Sequence, residues 1–145
     1  MPLSQQKFRE VVFQLLYSHD ISESEESDMI PFMMGHLMIT KKKIREANEK
    51  KGLIQKKIKE IDLLIEQSSI EYSLDRIPRI ERNILRVGVF ELLFCEIPPK
   101  VAISEAIRLS RKFATPEAAG FVNAIMDKIY QEKKSELSLG EISNK

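Results

Sequence analysis

Apolar residues recur along this chain at spacings of three and four for most of its length, and no run alternates between apolar and polar as a half-buried strand does. The pattern predicts an all-α fold. Over roughly residues 4–19, Phe8, Val11, Val12, Leu15 and Leu16 form one apolar stripe, and Ser4 is placed to cap the helix start. Phe13 and Tyr17, four residues apart, fall outside that stripe and suit either an aromatic anchor for a partner or a second core. The acidic "DISESEESD" reads as a solvated connection, after which Ser27 and Pro31 mark the start of a short Met-rich helix. A long basic helix is expected from about Lys41 to about Ser69. Its inward face would carry Ile44, Leu53, Ile54, Ile58, Ile61, Leu64 and Ile65, with Gly52 as the point where it could kink.

The most apolar segment is "IPRIERNILRVGVFELLF", from about Ile77, with Pro78 in its first turn and apolar residues nearly all round after Ile84. A helix of that kind belongs in the middle of a bundle. "CEIPP" ends it, because each proline ring disfavours a helical predecessor and lacks a donor. A helix from Pro99 to Phe113 follows, and Thr115 as N-cap with Pro116 behind it starts the last one. There Ala118, Phe121, Val122, Ile125 and Ile129 form a core stripe, while Gly120, Asn123, Ala124 and Asp127 form the neighbouring face. Gly120 and Ala124 remove bulk beside Asn123, so its amide serves either a hydrogen bond to an adjoining helix or a ligand brought close. The pattern fades after Lys134, which predicts one folded domain over 1–134 and a frayed tail over 135–145.

Charge sharpens this picture only through its distribution. Lys+Arg 23 against Asp+Glu 22 nearly cancel, yet residues 41–60 hold nine Lys/Arg against three glutamates, whereas residues 1–28 are acidic. Arg76, Arg79, Arg82 and Arg86 recur at helical spacing and would suit either a phosphate-tracking row or a solvated ridge broken by Asp75 and Glu81. One cysteine, Cys95, excludes an internal disulfide, and no signal-like segment opens the chain, so a cytoplasmic location is expected. "MIPFMMGHLMIT" is about half the length a spanning helix needs, so no membrane anchor is expected.

No catalytic constellation is present. His19 and His36 have no spaced companions, Cys95 lacks a Cys-x-x-Cys partner, and there is no Gly-rich phosphate loop. No enzyme activity, cofactor or metal is expected; His36 in its Met-rich setting suits packing better than ligation.

"IERNILRVGVFELL", "IPPKVAISEAIRLSRKF" and "FVNAIMDK", in that order, together with "REVVFQLLY" near the start, resemble the NusB family of transcription antitermination factors. The resemblance implies a small all-helical domain of two packed helical subdomains that binds boxA-type single-stranded RNA together with NusE, a small-subunit ribosomal protein. It also implies a place in the antitermination complex of RNA polymerase during ribosomal RNA transcription. It implies RNA contacts at Lys7, Arg9, Gln14, Glu117, Gly120 and Asn123, and NusE contacts at Tyr17, Asp75, Glu81, Arg82 and Arg86. Gln5 and Gln6 stand where the family has arginines, and Ala124 stands where it has glycine. The same fold resembles the N-terminal region of ribosomal RNA cytosine methyltransferases, whose catalytic α/β domain has no counterpart in 145 residues.

Overall fold

The computed structural model describes residues 3–22, 39–69 and 73–143. Among them are six α-helices, one 3-10 turn and no strand, in agreement with the helical periodicity. The Met-rich helix expected after Ser27 lies outside the described residues. The chain divides into two compact units, Met1–Ile58 and Lys59–Lys145.

In the first unit, α1 (Gln5–Ser22) packs on α2 (Lys41–Lys56). Ser4 caps α1 by accepting from the Lys7 amide at 3.1 Å, and Thr40 caps α2 by accepting from Lys43 N at 3.2 Å. Each cap satisfies a donor that the first helical turn leaves without an internal acceptor. Val11, Val12, Leu15 and Leu16 are buried as the stripe requires, and Phe13 is buried with them at 2% exposure. Phe13 therefore fills the core, while Phe8, expected inside, is half-buried with Lys50 Nζ 6.0 Å from its ring centre.

The basic helix does break, though not at Gly52. That glycine sits inside α2 with open space where a side chain would go, and its helical cost of about 1 kcal/mol is too small to end a helix. The break comes at Lys57, whose amide bonds Ile54 O at 3.0 Å, three residues back, before α3 (Ile58–Ser68) begins. The inward face of α2 runs through Ile44, Ala47, Lys51 and Ile54, which leaves Leu53 a quarter-turn outside it and 51% exposed, against expectation.

In the second unit α3 is followed by the 3-10 turn Leu74–Arg76 and then by α4 (Arg79–Phe94), α5 (Pro99–Phe113) and α6 (Pro116–Ser143). Every residue of α4 from Asn83 to Glu91 is buried, and α4 packs on both α5 and α6. Gly88 makes that possible. A Cβ there would stand 2.9 Å from Met126 Cε and 3.2 Å from Ala106 Cβ, so hydrogen at this position lets three helices close on one point.

Contacts along α4 and α6 fix their relative direction. Glu81 shares a cleft with Ala118 and Phe121, Gly88 meets Met126, and Phe94 lies beside Ile129 and Lys133. The two helices thus run side by side in the same sense, and α5 makes the return between them. α6 continues beyond Lys134 to Ser143, through the stretch expected to fray.

Candidate nucleic-acid and partner interface

On α1, the cations that resemblance assigns to RNA part company. Lys7 is half-exposed in the first turn, whereas Arg9 is 6% exposed and held by interactions within the chain. Gln5 and Gln6 are exposed and Gln14 is half-buried. Tyr17 leans on the buried Phe13 with ring centres 5.9 Å apart and 15° between planes, so a fixed aromatic neighbour orients a half-exposed tyrosine.

In the second unit the first turns of α4 and α6 come together. A cleft of about 360 Å³ opens there, lined by Ile77, Pro78, Ala118 and Phe121, with Arg76, Thr115, Glu81 and Glu117 around it. Thr115 Oγ1 accepts from Ala118 N at 3.0 Å, fixing the start of α6 and with it Glu117. Glu81 and Glu117 each lie in a first helical turn, where a carboxylate complements the positive end of the helix dipole. Partial burial also removes water from Glu81 and pushes its carboxyl pKa above the usual glutamate value. The structure therefore brings Glu81, assigned to the protein partner, and Glu117, assigned to RNA, onto one cleft.

The arginine row is neither a phosphate track nor a solvated ridge throughout. Arg76 and Arg79 are exposed, but Arg82 turns back and donates from Nη2 to Ile77 O at 3.0 Å and Asp75 O at 3.4 Å, holding the turn that leads into α4. Arg86 is drawn further in. Its Nε and Nη2 bind Asp62 Oδ1 and Oδ2 on α3 at 2.8 and 2.9 Å, and Nη1 donates to Asn83 Oδ1 at 3.2 Å. Asn83 Nδ2 in turn donates to Arg79 O at 2.9 Å. With its side chain 11% exposed, Arg86 ties α3 to α4. Asp62 and Asn83 escaped the sequence reading: the bidentate partner of Arg86 lies 24 residues away, and only an arginine in a run buried on all sides hinted that one must exist.

Asn123 is exposed, as are Glu117, Gly120, Ala124 and Asp127, and a Cβ at Gly120 would meet nothing within 4 Å. Asn123 thus stands on the exposed face of α6 and not against the buried core stripe. Asp75 is exposed in the turn before α4. The described residues contain no cluster of three or more His, Cys, Asp or Glu fit to hold a metal, and no helix among them is long and apolar enough to cross a membrane.

The profile of the NusB family matches residues 6–131. The transcription antitermination protein NusB of Chlamydia pneumoniae is 35% identical over 130 residues, covering 88% of this chain and 81% of that protein. That of Clostridium perfringens strain SM101 is 34% identical over 131 residues, covering 88% and 97%. Among solved structures, NusB of T. maritima superposes with a TM-score of 0.77 at 32% identity over 91% of this chain and 94% of that one. A crystal structure of the antitermination factors NusB and NusE in complex with dsRNA matches with a TM-score of 0.75 at 28% identity, over 88% and 96%. With a family match that spans nearly all of its helices and relatives aligned along most of their own length, this chain belongs to the NusB family.

Proposed function

We propose that this protein is a transcription antitermination factor that binds boxA-type single-stranded RNA together with NusE and holds it to the transcribing polymerase in the cytoplasm during ribosomal RNA synthesis. It acts by binding and carries out no catalysis. The observation that carries the reading is the continuous family match over residues 6–131, joined to the likeness to a NusB–NusE–RNA complex. The contacts proposed for NusE are Tyr17 in the first unit and Asp75 and Glu81 in the second, and the two carboxylates suit a basic ribosomal protein. Arg82 holds the turn that carries Asp75, and Arg86 ties α3 to the helix that carries Glu81. The contacts proposed for RNA are Lys7 and Gln14 in the first unit and Glu117, Gly120 and Asn123 in the second.

The cation supply on the RNA side is small. Gln5 and Gln6 carry no charge and Arg9 is buried, which leaves Lys7 as the outward cation of the first turn of α1. The chain alone should bind RNA weakly, with log affinity falling against log salt by only about 0.7 per phosphate contact. NusE adds basic surface and shares the cost of ordering the RNA, so affinity and slope should both rise in its presence. Fluorescence anisotropy at several salt concentrations, with and without NusE, measures both. Gln5→Arg/Gln6→Arg should recover part of the affinity without the partner, and tight, steeply salt-dependent binding by the unmodified chain alone would overturn the assignment of the RNA side.

A further inference from the structure

At the opposite end of the α4–α6 pair from the first-turn cleft lies a second concavity of about 150 Å³. Leu64, Leu93, Phe94 and Ile129 give it apolar walls, and Glu60, Glu132, Glu136 and Lys133 surround it. It follows from unequal helix lengths. "CEIPP" stops α4 at Phe94, while α6 carries on to Ser143, so the face of α6 made by Ile129, Glu132, Lys133 and Glu136 runs past the end of its neighbour. α3 presents Glu60, Leu63 and Leu64 from one of its own faces, with Leu63 56% exposed. Phe94 is held against the buried Phe90, ring centres 5.7 Å apart, yet stays 39% exposed.

The chemistry of this groove is specific. At roughly 30 Å³ per water-sized group, its volume holds one branched apolar side chain and no drug-sized molecule. Three carboxylates against one lysine on the rim attract cations and repel phosphates, which favours a basic partner over RNA or anionic lipid. Along α4 the groove stands about 20 Å from Glu81, at about 1.5 Å per residue over thirteen residues. Both ends of the helix pair can therefore be occupied at once.

We propose that this groove is a second protein-docking surface, one that takes a large apolar side chain from a basic amphipathic helix of a partner protein. The rim carboxylates set the register of that helix through its lysines or arginines, and Phe94 supplies the apolar contact. Nothing in this depends on the RNA side, so its test stands apart from that of the antitermination reading.

The probe is a synthetic lysine–alanine–leucine peptide of about 16 residues with leucines at helical spacing, compared with a scrambled peptide of the same composition that has no apolar stripe. Anisotropy with the full chain should show binding of the amphipathic peptide alone, weakened by salt. Phe94→Ser should lower its affinity about tenfold, and so should Glu132→Lys/Glu136→Lys, whose exposed positions leave the fold intact. No binding, equal binding of the scrambled peptide, or indifference to both variants would overturn the proposal. Sedimentation showing that the chain self-associates and that Phe94→Ser abolishes this would overturn it as well, because a second copy would then be the occupant.

Discussion

Removing Asp62 tests whether Arg86 belongs to the framework or to a partner. The carboxylate receives two charge-assisted hydrogen bonds from one guanidinium at 2.8 and 2.9 Å, with side-chain exposures of 11% for Arg86 and 19% for Asp62. An exposed ion pair is worth about 0–1 kcal/mol, whereas breaking a buried one costs about 3–5 kcal/mol because a desolvated charge is left behind. This pair is nearer the buried limit but keeps some access to water, so Asp62→Ala should cost about 2–4 kcal/mol. Replacing both partners by apolar residues, in Asp62→Leu/Arg86→Met, removes the stranded charge and should recover most of that loss. Chemical denaturation of the single and double variants supplies the stabilities, and calorimetry with NusE supplies the affinities. A cost below about 0.5 kcal/mol for Asp62→Ala would refute the estimate. Loss of NusE affinity in a stable double variant would return Arg86 to the interface.

Two glycines in helices should respond in opposite directions to alanine. Gly88→Ala gains about 1 kcal/mol of helix propensity but crowds Met126 and Ala106 by an overpacking cost of about 1–3 kcal/mol, so the melting temperature should fall. Gly120→Ala meets no neighbour and should stabilise by about 0.5–1 kcal/mol, while weakening RNA binding if the RNA backbone approaches there; denaturation and anisotropy read the two effects separately. Asn123→Ala, at an exposed position, should change stability by less than about 0.5 kcal/mol and lower RNA affinity, and a drop in melting temperature with unchanged affinity would contradict this. Glu81→Lys should weaken NusE binding by about 1–3 kcal/mol in calorimetry with little change in melting temperature. Because the Glu81 pKa is raised by burial, the folded state holds that proton more tightly than the unfolded chain; its contribution favours folding at low pH and is lost as pH rises through the unfolded and then the folded value. The same shift means that NusE affinity should decline on acidification earlier than for an ordinary glutamate, and a Glu81→Gln variant should lose that part of the pH dependence.

Local chemistry alone determined where most helices begin and end. Ser4 and Thr115 are caps, Pro99 and Pro116 open helices, and "CEIPP" stops α4, because each acts through its own backbone and its nearest turn. The central place of α4 was legible for the same reason: a segment apolar on every side has no stable position except among other helices. The three C-terminal blocks and the first-helix motif were enough to suggest the family.

What periodicity could not decide was which of several equivalent polar groups turns inward. Arg76, Arg79, Arg82 and Arg86 differ little in sequence, and their fates separated only because Asp62, on another helix, stood within reach of one and the carbonyls of the entry turn within reach of another. Arg9 was drawn inside its unit while Lys7, two residues earlier, stayed near the surface. Leu53 lost its expected place because the buried face of α2 runs through Ile44, Ala47, Lys51 and Ile54, and position 53 lies a quarter-turn outside it. The meeting of Glu81 with Glu117, and the exposure of Asn123, depend on α4 and α6 running side by side in one direction from neighbouring starts. Such pairings are made by groups dozens of residues apart, whose energies appear only when the tertiary fold has removed water from between them.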